Sequence, residues 1–496
     1  MENYFYKAHP AEERERIPYI PTVPQFVEWI GKTWSDRPAV NNLEESYTYS
    51  ELCERIARRR GFMITAGLKK GDKVAIMDVN SIDAVELFLA ATSAGFVAIM
   101  LPTQLPAPAV VGSCLRFDVK ALFIGEAFKD RAVEVKCNVY STKDTYGDAV
   151  PVAEVDKEDP AAIFFTGGTT GAPKGAVLPH RALMRGAFNG TFCNRAVLNG
   201  ERFMGLLPLS HVFGLIKGTL SALYIGAEWY ASNDIKESIG KMPVIKPTML
   251  VLVPGLCDVL VGVAKMYGTQ FFGGALKTII TGAANVPPRL SREFEKLGID
   301  MFPGYGMTEG ANLSTGNLDV KRKPTSVGKL FPEQEIKIVN GEVWMKGDHL
   351  FLGYYNDPKA TAEVLTEDSW LKTGDLGYID DEGFIYITGR IKNLIILPNA
   401  ENVSPEELEE PFYLNDAVRD CLVKEDKVND TPCLAIEILP NMEMFPNKSQ
   451  EEINAFFHKL VDEINAKQPS THRITKVTVR TEDFKRTGAL KVARNQ

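Results

Sequence analysis

A buried strand that empties into a glycine-rich turn leaves few folds open. Ala161, Ala162, Ile163, Phe164 and Phe165 form a short apolar run, followed at once by Thr166, Gly167, Gly168, Thr169, Thr170, Gly171, Ala172, Pro173, Lys174 and Gly175. The run reads as a strand. Four glycines let the backbone turn tightly and bring N–H groups near a polyphosphate, while three threonine hydroxyls and one lysine add donors and charge. A plain surface loop seldom concentrates these residue types behind a buried strand. The turn is not a Walker A loop, because Lys174 follows Pro173 and precedes Gly175 where that motif needs Gly before and Ser or Thr after. A P-loop kinase or GTPase is thereby disfavoured.

The surrounding chain repeats the same grammar. Residues 73–78 (KVAIMD) read as a strand, 81–93 as a helix with Ser81 as N-cap, and 96–101 as a second strand after Gly95. Strand, helix and strand at this spacing imply parallel pairing. Apolar runs at 249–253, 277–281 and 300–302 lead into Pro254, Gly282 and Pro303-Gly304. Open α/β sheets place ligands at such turns, so a sheet crevice is expected. Beyond Val327 short alternating runs at 335–339 and 342–346 flank Asn340-Gly341, a hairpin signal in a β-rich layer. After Gly389, Ser404-Pro405-Glu406-Glu407 gives an N-cap, a proline at the first helical position and a glutamate three after the cap. It predicts the first helix of a compact C-terminal domain.

Composition sets outer limits. With 496 residues and 45% hydrophobic composition the chain needs two or more domains, and a formal charge of −8 gives no reason to expect nucleic acid. Seven cysteines are scattered without a CxxC pair or zinc spacing, which fits reduced thiols in a cytoplasmic protein. The N-terminal residues lack the apolar core of a secretory signal. Residues 84–102, interrupted by Glu86, read as a buried helix running into a strand and not as a transmembrane segment. Arg58-Arg59-Arg60 reads as a solvated helix face.

Further motifs follow the glycine-rich turn in order: Pro208-Leu209-Ser210-His211-Val212-Phe213-Gly214, Gly282-Ala283-Ala284, Gly304-Tyr305-Gly306-Met307-Thr308-Glu309, Thr373-Gly374-Asp375, Gly389-Arg390-Ile391-Lys392, and Lys491 near the C-terminus. Together with the turn they resemble the motifs of the adenylate-forming superfamily: acyl-CoA synthetases, peptide-synthetase adenylation domains and luciferases, with acyl-CoA synthetases nearest. The resemblance spans residues 166–494. It implies an α/β fold with a large N-terminal domain, residues 1–390, of parallel and mixed sheets, flanking helices and a β-rich layer. A small mobile α+β lid, residues 391–496, would turn on a hinge at Lys392.

The residues make chemical sense in those roles. Tyr305 between glycines can lay a flat ring against adenine, beside the adenine-edge turn Gly282, Ala283 and Ala284. Glu309, with Thr166 and Thr308, offers hard oxygen atoms where Mg²⁺ meets phosphate. Asp375 can accept from both ribose hydroxyls, and the resemblance counts Arg390 among the nucleotide-binding residues. By resemblance His211 lies between the acyl carboxylate and the thiol tunnel, the acyl pocket involves Phe213, Gly282 and Gly306 with Met307 nearby, and Lys491 is the catalytic lysine. The implied reaction joins AMP to a carboxylic acid, fatty or aromatic, and passes the acyl group to coenzyme A, with ATP and Mg²⁺ as cofactors.

The match has departures. Leu490 stands where the family usually has glycine, and Ile396 and Asn399-Ala400 replace a lysine and a glycine seen in many relatives. A carrier-protein phosphopantetheine is the alternative acceptor, with the absence of a carrier domain after Gln496 favouring free coenzyme A. A catalytically silent acyl-nucleotide binder is the rival of another class. Joint retention of Glu309, Asp375, Arg390 and Lys491 argues against it.

Overall fold

A computed structural model describes residues 4–5, 9, 11–166, 174–191, 200–232, 234–397, 402–428, 431–485, 492 and 494, apart from the side chains of 13, 428 and 431. Two seven-stranded sheets form its body. The first runs Gly353–Tyr354, Gly175–Pro179, Pro160–Phe165, Val97–Met100, Lys73–Met77, Val119–Ile124 and Asn138–Ser141. Its five central and far strands are parallel, and the two at the near edge are antiparallel. The second runs Asp300–Pro303, Thr278–Thr281, Met249–Leu252, Arg202–Met204, Glu228–Tyr230, Pro38–Asn41 and Ser46–Thr48, parallel up to its last pair.

Helix Ile82–Ser93 begins at Ser81, whose Oγ accepts from the Ala84 N–H, and every residue but Asp83 is buried. An all-round apolar helix belongs inside a core, and one continuous core takes in Phe88 of this helix, Ile76 of the first sheet and Ile279 of the second. No helix among the described residues is long and apolar enough to cross a membrane.

The arginine run departs from the sequence expectation. Arg59 and Arg60 are buried, leaving only Arg58 exposed. Glu86 is the reason: it is a buried carboxylate in the helix Ile82–Ser93, and Arg59 Nε meets its Oε2 at 3.1 Å. Arg59 also reaches Asp83, Thr142, Thr145 and Tyr146, and Arg60 donates to Ser93 Oγ at 2.9 Å. A charge run reads as solvated unless the opposite charge inside is known.

The third layer is antiparallel: Gln334–Val339, Glu342–Gly347, Leu371–Ile379 and Ile385–Arg390. Asn340 and Gly341 turn its first hairpin with φ of 51° and 82°, the left-handed pair that two-residue hairpins favour. The last unit has its own core around Phe412, Ile436, Ile438 and Phe457, built by helices Pro405–Tyr413 and Gln450–Asn465 against the strands Val418–Val428, Thr431–Pro440 and Ile474–Val479. Ser404 caps the first helix by accepting from the Glu407 N–H, with Pro405 at its first position.

Candidate active site

The parallel strands Pro160–Phe165, Thr278–Thr281 and Asp300–Pro303 each end at a motif the sequence singled out. Thr166 N–H donates to the Lys174 carbonyl at 2.9 Å, which closes the neck of the glycine-rich turn. Gly167, Gly168, Thr169, Thr170 and Gly171 lie outside the described residues. The chain after the turn must pass under Phe117, since a Cβ on Gly175 would sit 2.5 Å from its ring.

Lys174 and Glu309 are joined by a tyrosine that no motif marked. Strand Gly353–Tyr354 pairs with Gly175–Pro179, setting Tyr354 opposite Ala176. Lys174 Nζ lies 4.7 Å from the centre of the Tyr354 ring, and Tyr354 Oη donates to Glu309 Oε1 at 2.7 Å. Burial and the Glu309 charge hold the phenol above its ordinary value, so it stays a proton donor. Glu309 itself is buried, and its carbonyl accepts from the Phe351 N–H at 2.9 Å. Only the aromatic after Gly353 could have signalled this contact.

Four residues back along the same turn, Tyr305 anchors a second group. Tyr305 Oη donates to Asp375 Oδ2 at 2.6 Å, and Arg390 Nε pairs with Asp375 Oδ1 at 2.7 Å. Asp375 and Arg390 face each other across the antiparallel strands that carry them. Burial, then the Asp375 charge, raises the Tyr305 phenol well above its ordinary value. The Asp375 N–H is held by Thr373 Oγ1 at 3.1 Å, and the Tyr305 N–H by Thr315 Oγ1 at 3.0 Å.

The glycines here are matters of approach. A Cβ on Gly282 would lie 2.8 Å from the Gly304 carbonyl, one on Gly304 2.6 Å from that of Thr315, and one on Gly306 1.9 Å from that of Asn312. Ala283 takes the left-handed conformation at φ 67°, and Ala284 follows it out of the strand end. Met307 pairs with Asn312, and Thr308 opens the turn Thr308–Gly310 that holds Glu309.

His211 is exposed at the head of the π-helix Phe213–Leu220, whose Leu215 N–H donates to the His211 carbonyl at 2.9 Å. Phe213 is buried, and Gly214 passes so close to Pro208 that a Cβ would meet its carbonyl at 2.2 Å. Asn80, at the end of a first-sheet strand, steadies this turn: its Nδ2 donates to the Leu207 carbonyl at 2.8 Å and its Oδ1 accepts from the Leu209 N–H at 3.1 Å. Sequence reading passed over Asn80, which lies 131 positions before His211 in the numbering. Lys392 is exposed as a residue; partial burial of its ammonium, then Arg390, lower it, while Asp375 and Glu309 act across space to raise it. Lys491 and Leu490 lie outside the described residues.

One group therefore holds Thr166, Lys174 and Glu309, and a second holds Gly282, Ala283, Gly304, Tyr305, Gly306, Asp375 and Arg390, with the Tyr305-to-Glu309 turn common to both. Among the described residues no cluster of three His, Cys, Asp or Glu side chains could hold a metal alone. A Mg²⁺ ion commonly takes one or two carboxylates and completes its shell with phosphate oxygens and water. The buried Glu309 carboxylate beside Lys174 suits that donor set.

Residues 27–355 match the family model described as AMP-binding enzyme. YdaB of Bacillus subtilis (strain 168), provisionally named an acyl–CoA ligase, is 30% identical over 407 residues, 75% of this chain and 80% of its own length. A long-chain-fatty-acid–CoA ligase of the same organism is 31% identical over 316 residues, 59% of this chain and 55% of its own. Among solved structures, the anthranilate CoA ligase AuaEII in complex with anthranoyl-AMP superposes with a TM-score of 0.83 at 19% identity, covering 96% of each chain. The chain belongs to the AMP-binding enzymes, among the AMP-forming acyl–CoA ligases. It has their two-domain α/β fold.

Proposed function

We propose that the protein activates a carboxylic acid as its acyl-adenylate, releasing pyrophosphate from ATP, and then transfers the acyl group to coenzyme A. The observation that carries this reading is the shared turn: Lys174–Tyr354–Glu309 on one side and Tyr305–Asp375–Arg390 on the other. A nucleotide spanning them would lay its ribose at Asp375 and its phosphates at Lys174 and Glu309. Domains 1–390 and 391–496 would be the binding body and the lid, with Lys392 at the hinge.

A carboxylate attacking the α-phosphate brings like charges together, so fixed cations must offset them. Lys174 supplies one and Lys491 a second, delivered by the lid. Mg²⁺ held at Glu309 and Thr166 would neutralise the departing pyrophosphate. In the second half-reaction the thiolate attacks the acyl carbon and AMP leaves, a step that no longer needs Lys491. Tyr305 lays its ring on adenine, and Gly282 to Ala284 line the base edge. His211 positions the acyl carboxylate near the thiol path.

For the acid, Phe213 and the side-chain-free backbone at Gly282 and Gly306 fit an apolar group. The helix that starts at Phe213 also buries Lys217, which donates to the Gly190 carbonyl. Lys217 is thus held by backbone, and the acid is taken to be fatty or aromatic. ATP–pyrophosphate exchange with a panel of aromatic and fatty acids tests the reading, and thioester formation with coenzyme A against a carrier protein fixes the acceptor. Lys491→Ala is expected to abolish exchange while largely sparing thioester formation from supplied acyl-adenylate. Equal loss of both steps would remove Lys491 from its role.

A further inference from the structure

The two described residues of the C-terminal tail, Val492 and Arg494, both meet the last unit. Val492 packs on Leu422, Leu439 and Phe484. Two residues on, Arg494 inserts between two carboxylates of the helix Pro405–Tyr413. Its Nη1 and Nη2 reach Glu409 Oε1 and Oε2 at 3.0 and 2.8 Å, a bidentate pair, and its Nε meets Glu406 Oε1 at 3.0 Å. Glu409 is buried and also accepts from the Val423 N–H at 2.7 Å, so that end of the guanidinium is tied to the small domain's core.

Glu406 faces the other way as well. The same Oε1 accepts from Asn393 Nδ2 at 2.6 Å, and Asn393 is the residue after Lys392. Glu406 Oε2 lies 3.2 Å from Ser404 Oγ, whose single hydrogen is shared with the Thr388 carbonyl at 2.7 Å. Gly389 passes so near that a Cβ there would sit 2.0 Å from Ser404 Oγ and 3.1 Å from Glu406 Oε2. One carboxylate thus touches the segment leading into the hinge, the hinge turn itself and the tail.

We propose that Glu406 is a positioning residue that ties the Asn393 turn to Arg494, three residues beyond the proposed catalytic Lys491, so that cutting the tie slows the step that needs that lysine. The inference rests on the proposed two-step reaction for its catalytic consequence, though not for the tie itself. The glutamate three after the Ser404 cap, Glu407, lends its N–H to the cap, and Glu406 is left for this network. With the tie cut, Lys491 would still be present but delivered to a spread of positions, which slows the step that needs its charge at one point.

The test uses the full chain with Glu406→Ala and Glu406→Gln. The glutamine keeps an acceptor for Asn393 but loses the charge that faces Arg494. Hydrogen–deuterium exchange is expected to speed at least five-fold in a peptide covering 485–494 in both variants, with little change in the peptides of the large domain. ATP–pyrophosphate exchange is expected to fall at least ten-fold in kcat with KM for ATP within about two-fold, and thioester formation from supplied acyl-adenylate to stay within about two-fold. Unaltered tail exchange in both variants overturns the tie. Faster tail exchange with both half-reactions falling together overturns the positioning role and leaves a merely structural one. A wild-type chain without pyrophosphate exchange would take down the reaction, while the deuterium measurement still decides the tie.

Discussion

At Tyr354 a single phenol serves two charges of opposite sign. Its ring lies under the Lys174 ammonium at 4.7 Å, and its hydroxyl donates to Glu309 at 2.7 Å. Removing the hydroxyl alone separates those functions. Tyr354→Phe keeps the ring under Lys174 and frees Glu309 to rotate from the place where phosphate and Mg²⁺ would need it. A hydrogen bond to a charged group contributes about 1.5–3 kcal/mol, or roughly 10–100-fold. We therefore expect kcat/KM for pyrophosphate exchange to fall by about that factor, with a higher Mg²⁺ requirement. A loss under about three-fold, which is below the range for such a bond, would show that Glu309 is held by its own turn instead. Tyr305 is the contrasting case, because Asp375 keeps Arg390 when the phenol is lost.

Among the elements, the helix Ile82–Ser93 shows how packing decides the meaning of a charge. It runs through the core with Glu86 fully buried, and helix Tyr49–Thr65 answers with Arg55 and Arg59, both paired to that carboxylate. Tyr146 adds a hydroxyl to the same carboxylate at 2.8 Å. Arg59→Leu leaves a buried anion with a weaker partner set, and removal of one member of a buried pair costs about 3–5 kcal/mol. Denaturant unfolding should show a loss of that order, and Arg59→Leu combined with Glu86→Leu should recover much of it. If the double variant is no more stable than the single, Glu86 is not the source of the cost. The strands and the cap at Ser81 were legible because period and caps are local properties of the chain. Thr166, Gly282, Tyr305 and Asp375 could be singled out because their motifs keep a fixed order along it. Glu86 against Arg59, Tyr354 against Glu309 and Asn80 against Leu209 are matters of which residues meet across elements, and no local pattern records them.

For the whole molecule, the main core of the two large sheets and that of the last unit are bridged by polar contacts. Arg289, paired with Asp258, donates to the Arg419 carbonyl at 3.0 Å, Arg292 pairs with Asp416, and Lys265 pairs with Glu443. The exposed pairs Arg292–Asp416 and Lys265–Glu443 are weak and salt-sensitive, which fits the lid movement proposed above. The large domain should accordingly set the acid stability of the chain, and two of its buried histidines fix the pH window. Burial lowers His349 from 6.5 to about 3, helped by Arg181 and Arg185, and burial lowers His180 from 6.5 to about 4. Both folded values lie below the unfolded one, so between them the unfolded chain binds more protons than the native state. The contribution of each is complete above pH 6.5 and is lost as pH falls toward the folded value, at about 1.4 kcal/mol per pH unit. From these histidines, melting temperature should be flat above pH 7 and fall from roughly pH 6 to 4.5, before most carboxylates take up protons, with Glu409, raised by burial to about 7, acting in the opposite sense. His349→Gln, whose side chain does not titrate there, should lessen that slope by about half. An identical slope in the variant would mean that His349 is already charged in the native state, contrary to its place beside two arginines.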